Sequence, residues 1–343
     1  MKQKRLTFLL LLISNLFCAS AQKWYKPEID LKVEELLGQM TVEEKLGYIG
    51  GIDWMYTKSI DRLGIHRMRM SDGPQGIGTK GKSTAYPATV TLAATWNENL
   101  AYQYGKALGR DCRARNINVI LGPAVNIYRA PMCGRNFEYM GEDPYLTSRI
   151  CVGYIKGVQD QGVMATVKHF VANNSDYDRN NISNDIDERT LNEIYFPAYK
   201  AAIQEAEVGA IMTSYNLMNG IYTTENPWLL KEVLRNQWGF KGLVMSDWGS
   251  THYCVPAARS GLDLEMAGGE KMNPKDMAYY LKTGDVTMDM VDEKVRHILR
   301  ILIAFGFKDG TEADKSIALD DPQSVETAVS YTHLRAHETV LDL

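Results

Sequence analysis

Two hydrophobic periods run along this chain, and the switches between them mark its elements. Leu229, Leu230, Val233 and Leu234 recur at helical spacing between Trp228 and Trp238, and Leu243, Val244 and Met245 then form a short unbroken apolar run between glycines. The first pattern predicts an amphipathic helix, and the second a strand covered on both faces. The apolar run stops abruptly at Ser246-Asp247-Trp248-Gly249. A strand with that ending delivers a carboxylate and an indole to a site, although Asp247 taken alone reads equally well as the cap of a following helix.

The same alternation continues on both sides. Ile29 to Gln39 and Thr41 to Tyr48 read as helices, the second opened by the capping box Thr41-Val-Glu-Glu44. Short strands are predicted at Arg67 to Asp72, at Asn118 to Leu121, at Val163 to Val167 just before Lys168-His169, at Gly209 to Met212 and at Gly261 to Met266. Helical periodicity fills Asn97 to Arg113, Asp187 to Glu207 and Thr287 to Phe305. Strands alternating with helices predict an α/β domain with a parallel sheet, and the size fits a (β/α)8 TIM-type barrel spanning residues 22–308. A doubly wound sheet is the other architecture considered, but no Gly-x-Gly-x-x-Gly turn or phosphate loop accompanies the first strand.

The two ends change the picture. Lys2, Lys4 and Arg5, the apolar run Leu6 to Phe17 and Ala19-Ser20-Ala21 have the layout of a secretory signal cut after Ala21. The protein is therefore expected to be exported, to the periplasm or the medium, with no membrane association after cleavage. From Asp309 the chain turns polar and reads as a linker through residue 328. Residues 329–343, beginning Val-Ser-Tyr-Thr-His-Leu-Arg-Ala-His-Glu-Thr, resemble the translation of a transposase adapter used in sequencing libraries, so His333, His337 and Glu338 are left out of the chemistry.

With 343 residues, 45% hydrophobic content and a formal charge of −4, the chain can bury a large core. No basic stripe suggests a nucleic-acid partner. After the signal, Cys112, Cys133, Cys151 and Cys254 remain, without the paired spacing of a zinc site, and they read as small buried hydrophobes. No metal and no cofactor is expected, because His252 near Asp247 lacks further ligands at a recognisable spacing.

Unlike polar groups collect at the predicted strand ends: Asp72, Arg135, Lys168, His169, Tyr215 and Asp247. A pyranose needs fixed donors and acceptors for its hydroxyls, a flat apolar face and carboxylates near the anomeric carbon. This set supplies them, with Trp248 and Phe137 as candidate platforms. Each also has an ordinary reading. Arg135 can pair with Glu138, Glu142 or Asp143 in its own loop, Lys168-His169 can fill the barrel mouth, Tyr215 can be core, and Asp176 to Arg189 reads as a solvated loop and helix start.

Ser71-Asp-Gly-Pro74, Tyr86-Pro-Ala-Thr89, Gly134-Arg-Asn-Phe-Glu138 with Gly141-Glu-Asp-Pro144, Lys168-His-Phe170, Ser214-Tyr-Asn216 and Ser246-Asp-Trp248 resemble, in order and spacing, the amino-terminal domain of glycoside hydrolase family 3. The resemblance covers residues 30 to 328. It implies that Asp247 is the nucleophile of a retaining mechanism, kept ionised by Lys168 and Arg135. It also implies that Asp72, Arg135, Lys168, His169 and Tyr215 bind the hydroxyls of one sugar, and that Met212 and Trp248 line its subsite.

Two departures from the family pattern bear on the acid/base. β-Glucosidase-like members carry that glutamate in a second α/β domain, so the resemblance places it outside these residues. Members acting on N-acetylglucosaminides use a barrel histidine in Lys-His-Phe-Pro-Gly-His-Gly, where this chain has Lys168-His-Phe-Val-Ala-Asn-Asn174. The expected function is an exo-β-glucosidase acting on oligosaccharides or small β-glucosides. A β-xylosidase or arabinofuranosidase of the same family and a non-catalytic sugar-binding barrel stay open at this point, as does the oligomeric state.

Overall fold

The predicted apolar runs become strands whose apolar side chains are buried. A computed structural model describes residues 24–78 and 81–341 of the chain, so the segment read as a signal lies outside the described residues. The strands are β1 (Met70–Asp72), β2 (Val119–Leu121), β3 (Met164–Phe170), β4 (Ser183–Asn184), β5 (Ala210–Thr213), β6 (Leu217–Met218), β7 (Ile221–Tyr222) and β8 (Leu243–Met245). Five of them form one parallel sheet in the order β1-β2-β3-β5-β8, and β4, β6 and β7 make a small separate sheet. β2, β3, β5 and β8 are buried along their whole length, which explains why their sequences run apolar without alternating.

This is the expected α/β fold of TIM type, but among the described residues the parallel sheet holds five strands rather than eight. Beyond β8 the pairing continues only as single parallel bridges, Met245 with Leu264 and Gly50 with Glu265, while Tyr56 meets Arg69 in an antiparallel bridge beside β1. The predicted strand at Gly261 to Met266 is reduced to those bridges. Gly50 approaches the backbone there so closely that a Cβ would lie 2.9 Å from the Gly269 Cα. The ladder itself does not close into a ring.

Local signals place the helices. Thr41 and Glu44 form the predicted capping box, the Glu44 N–H donating to Thr41 Oγ1 (3.2 Å) and the Thr41 N–H to Glu44 Oε2 (2.8 Å). The periodic stretch at Trp228–Gln237 winds as a wider π-type turn, as does Leu191–Tyr195 inside the predicted Asp187 to Glu207 helix. The polar stretch read as a linker packs back on the barrel. Arg113 and Arg110 pair with Asp314 and Asp321, and the Ser324 hydroxyl donates to Asp111 at the start of a helix, Pro322–Leu341. Charge complementarity with the helix Glu98–Arg113 accounts for that return. Cys112 and Cys151 are buried and Cys133 and Cys254 half-buried, all four as free thiols.

Helices Glu98–Arg113 and Pro144–Gln159 cross at glycines. A Cβ on Gly157 would sit 2.2 Å from the Tyr102 carbonyl oxygen, and one on Gly105 2.2 Å from that of Tyr154. Replacing Gly157 by alanine is expected to lower the unfolding free energy by about 2–3 kcal/mol through forced separation of the helices. The urea midpoint measures this, with Gly38→Ala as control, since a Cβ at Gly38 meets nothing within 4 Å.

Candidate active site

Parallel strands all point their carboxyl ends to one side of the sheet, and there the polar residues gather. Asp72 ends β1, Lys168 and His169 lie in the last turnings of β3, Met212 lies in β5 with Tyr215 just beyond, and Asp247 and Trp248 follow β8. β3 runs three residues further than its apolar run predicts. The Val125 N–H donates to the Lys168 carbonyl (2.8 Å), and this holds the polar pair in extended backbone. Arg135 arrives from the loop after β2.

These residues surround a cavity of about 240 Å³ lined by Trp54, Met55, Asp72, Leu121, Arg135, Lys168, Arg179, Met212, Tyr215, Asp247 and Trp248. That volume suits one monosaccharide, being below the roughly 300–1,000 Å³ of drug-sized pockets. Larger cavities of about 470 Å³ and 550 Å³ lie among the helices, without a comparable convergence of polar groups at strand ends.

Asp247 sits at the bottom of this cavity. Its Oδ1 accepts the Trp248 N–H at 2.7 Å, whereas its buried Oδ2 has no hydrogen-bond partner. Arg135 Nη1 lies 3.7 Å and His169 Nε2 3.5 Å from that free oxygen. Burial pushes the Asp247 carboxyl above its ordinary value of 3.8; Arg135, Lys168 and the Trp248 N–H pull the other way without overcoming it. Desolvation outweighs the basic neighbours in this balance.

Asp72 behaves oppositely. Its side chain is 59% exposed at the mouth and accepts from Lys168 Nζ at 2.8 Å. Partial burial raises its pKa, but the Lys168 charge and hydrogen bond, with the Arg135 charge, outweigh that and hold the carboxyl below its ordinary value. Lys168, only 3% exposed, also lies 3.9 Å from Glu138 Oε2. Arg135 donates through Nε to Glu138 Oε1 and through Nη2 to His169 Nε2, the latter at 2.7 Å. The ordinary partner considered for Arg135 is therefore real, and it leaves Nη1 facing Asp247.

His169 is fully buried and stands behind Arg135 rather than on the cavity wall. Phe137 is exposed and lines a neighbouring cleft beside the Gly73–Gly81 loop, so it is not a platform of this cavity. Trp248 is, with its indole N–H donating to the Trp54 carbonyl at 2.8 Å. The Tyr215 hydroxyl donates to the Trp248 carbonyl (2.9 Å), and burial followed by the Asp247 charge push its phenol up.

Arg179 escaped the sequence reading, which assigned it to a solvated loop. Its guanidinium lies 3.9 Å from the centre of the Tyr215 ring and lines the cavity. Trp54, Met55 and Leu121 were also missed. His252 stacks on Tyr222 with ring centres 3.6 Å apart, and no cluster of His, Cys, Asp and Glu that could hold a metal is present among the described residues. Among those residues no helix is long and apolar enough to cross a membrane.

Comparison with known proteins adds to this geometry. The profile of the glycosyl hydrolase family 3 N terminal domain matches residues 37–301. A β-glucosidase of Rhizobium radiobacter is 42% identical over 297 residues, covering 85% of this chain and 36% of that protein. Thermostable β-glucosidase B of Acetivibrio thermocellus is 41% identical over 282 residues, covering 79% of this chain and 37% of that protein. Among solved structures, β-glucosidase 3B from Thermotoga neapolitana in complex with α-D-glucose superposes with a TM-score of 0.80 at 34% identity, covering 88% of this chain and 46% of the other. A β-glucosidase from Streptomyces venezuelae in complex with D-glucose gives a TM-score of 0.81 at 35% identity, covering 90% and 41%. The chain thus spans less than half the length of these relatives.

Proposed function

This chain belongs to glycosyl hydrolase family 3, and from that membership we propose that it is the nucleophile-bearing barrel of an exported, retaining β-glucosidase. The substrate class is oligosaccharides and small β-glucosides with a terminal non-reducing β-D-glucosyl residue. One observation carries the reading: the free Oδ2 of Asp247 faces a sugar-sized cavity with Arg135 Nη1 at 3.7 Å.

In the proposed reaction Asp247 Oδ2 attacks the anomeric carbon while the bond from that carbon to the glycosidic oxygen breaks, giving a glycosyl-aspartate ester. The departing oxygen takes a proton from a general acid. Water then attacks the same carbon as its bond to Asp247 Oδ2 breaks, loses its proton to the conjugate base, and glucose leaves with its configuration retained and the carboxylate restored. Lys168, Arg135 and Arg179 are the hydroxyl donors, ionised Asp72 is an acceptor, and Trp248 with Met212 meets the ring. Asp72 is the other carboxyl on the cavity wall, and it is held ionised, which suits an acceptor and not a proton donor. The resemblance to β-glucosidase-like members of the family supports placing the acid/base glutamate in a second α/β domain following the barrel of residues 22–308. Export rests on the charge, apolar run and small residues of positions 1–21.

The test is a 2-deoxy-2-fluoro-β-glucoside with a dinitrophenolate leaving group, which needs a nucleophile but little acid assistance. Intact and peptide mass spectrometry are expected to find a fluoroglucosyl adduct on the peptide containing Asp247; a folded protein that stays unmodified sinks the reading. The trapping rate is also expected to depend on pH with a defined sign. Asp247 must be ionised to attack and its pKa is raised, so the rate falls as pH is lowered through a value above 3.8. A rate that stays flat down to about pH 4 contradicts the assignment.

A further inference from the structure

We propose that Asn126 is a positioning residue: it fixes His169 in the neutral form protonated at Nδ1, so that the ring serves as an acceptor clamping Arg135 against Glu138 with Nη1 turned to Asp247. Asn126 follows the Gly122-Pro123 turn after β2 and is buried.

Its amide orientation is fixed by the backbone of His169. The His169 N–H donates to Asn126 Oδ1 at 2.8 Å, and Asn126 Nδ2 donates to the His169 carbonyl at 2.9 Å. A backbone N–H can only donate and a carbonyl only accept, so the amide cannot be turned round. Oδ1 consequently also faces the ring, 3.2 Å from Nδ1, and that nitrogen must carry the proton.

The other ring nitrogen gives the same answer independently. Arg135 Nη2 lies 2.7 Å from Nε2, and a guanidinium has no acceptor to offer, so Nε2 must be bare. One neighbour pulls the other way, the Asp247 carboxylate, but Arg135 Nη2 at 2.7 Å is nearer to Nε2 than Asp247 Oδ2 and decides the tautomer. Burial and the charges of Arg135, Lys168 and Arg179 hold the imidazole neutral, Tyr139 meets its edge, Tyr199 donates to the His169 carbonyl, and Asp247 Oδ2 lies 3.5 Å from Nε2.

The consequence is geometric. Of the five N–H donors of Arg135, Glu138 takes that on Nε and His169 one on Nη2, and this grip turns Nη1 to the free Asp247 oxygen or a ligand. With the proton on Nε2 instead, two donors would meet and the guanidinium would swing away. His169 thereby acts through Arg135, and Asn126 acts through His169. The effect on chemistry rests on the glycosidase reading, whereas the tautomer does not.

The experiment uses the full chain labelled with ¹⁵N-histidine, His169 being assigned by its loss in His169→Gln. Two-bond ¹H–¹⁵N spectra are expected to show His169 with protonated Nδ1 and bare Nε2 between about pH 5 and 8. A protonated Nε2 or an imidazolium in the unaltered protein overturns the proposal whether or not the fluoroglucoside reacts. Asn126→Leu, which removes the acceptor, is expected to mix the tautomers and to slow trapping about tenfold to a hundredfold, in the inactivation rate constant more than in reagent binding. Asn126→Asp keeps an acceptor toward Nδ1 but loses the donor to the His169 carbonyl, and is expected to keep the tautomer and recover part of the rate. An Asn126→Leu protein that loses stability but retains the original tautomer or trapping rate overturns the proposal. If the unaltered protein shows the bare Nε2 yet never traps the reagent, the glycosidase reading fails and the tautomer assignment stands.

Discussion

Asp247→Gly is expected to abolish trapping by the activated fluoroglucoside and to cut cleavage of dinitrophenyl β-glucoside by about 10⁴-fold or more, because no other group with a free oxygen lies at the bottom of the cavity. The same variant supplied with azide offers a sharper check. A small anion entering the space left by the carboxylate attacks the anomeric carbon from that side and gives the α-glucosyl azide. The β-azide would mean that the anion arrived from the opposite face and that Asp247 is not the nucleophile. The substitution should cost about 1 kcal/mol of stability for the Oδ1 bond from the Trp248 N–H and little more, since Oδ2 has no hydrogen bond to lose and desolvation already disfavours the charge.

Arg135→Met should do damage of two kinds. Arg135 is the strongest of the influences opposing the desolvation of Asp247, so its loss raises the nucleophile's pKa further. The acid side of the trapping profile then moves to higher pH, and the plateau rate falls by about 10²–10³-fold as the charge facing Oδ2 disappears. Glu138, 6% exposed in its side chain, also loses its ion-pair partner and keeps only Lys168 at 3.9 Å. That leaves a buried carboxylate under-compensated and lowers the unfolding free energy by about 2–4 kcal/mol. A plateau rate within a few-fold of the original would remove Arg135 from the chemistry, and an unchanged acid limb would remove it from the electrostatics.

Much of this site was legible because the chain writes it at strand ends. An apolar run broken by Asp247-Trp248, or by Lys168-His169, announces both the strand and what it carries, and the resemblance to the family assigns roles to residues that spacing only nominates. What stayed hidden depends on contacts between distant segments. Arg179 sits among irregular acids and looks solvated; only the fold lays it on Tyr215, 36 positions further along. Burial of Asp247 sums over every neighbour, so its upward push on the carboxyl could not be read from the basic residues alone. His169 was nominated with Lys168 as a cavity residue, but only Lys168 lines the cavity, where it reaches Asp72, while the His169 ring lies against Arg135. The shortfall from eight strands arose because glycine-rich edges such as Gly50-Gly51 can bridge without forming a ladder.

The indole of Trp248 is held by a carbonyl 194 residues earlier, and Lys168 by a carboxylate 96 residues earlier. Synthesis therefore imposes an order on the site. A ribosome that has delivered the chain through β3 has already made Asp72, Arg135 and Lys168, the groups that would grip a sugar, while the carboxylate that would react with one does not yet exist. The proposed nucleophile is placed only when β8 pairs with β5 and the Trp248 indole meets the Trp54 carbonyl, so the newest part of the fold closes onto one of the oldest.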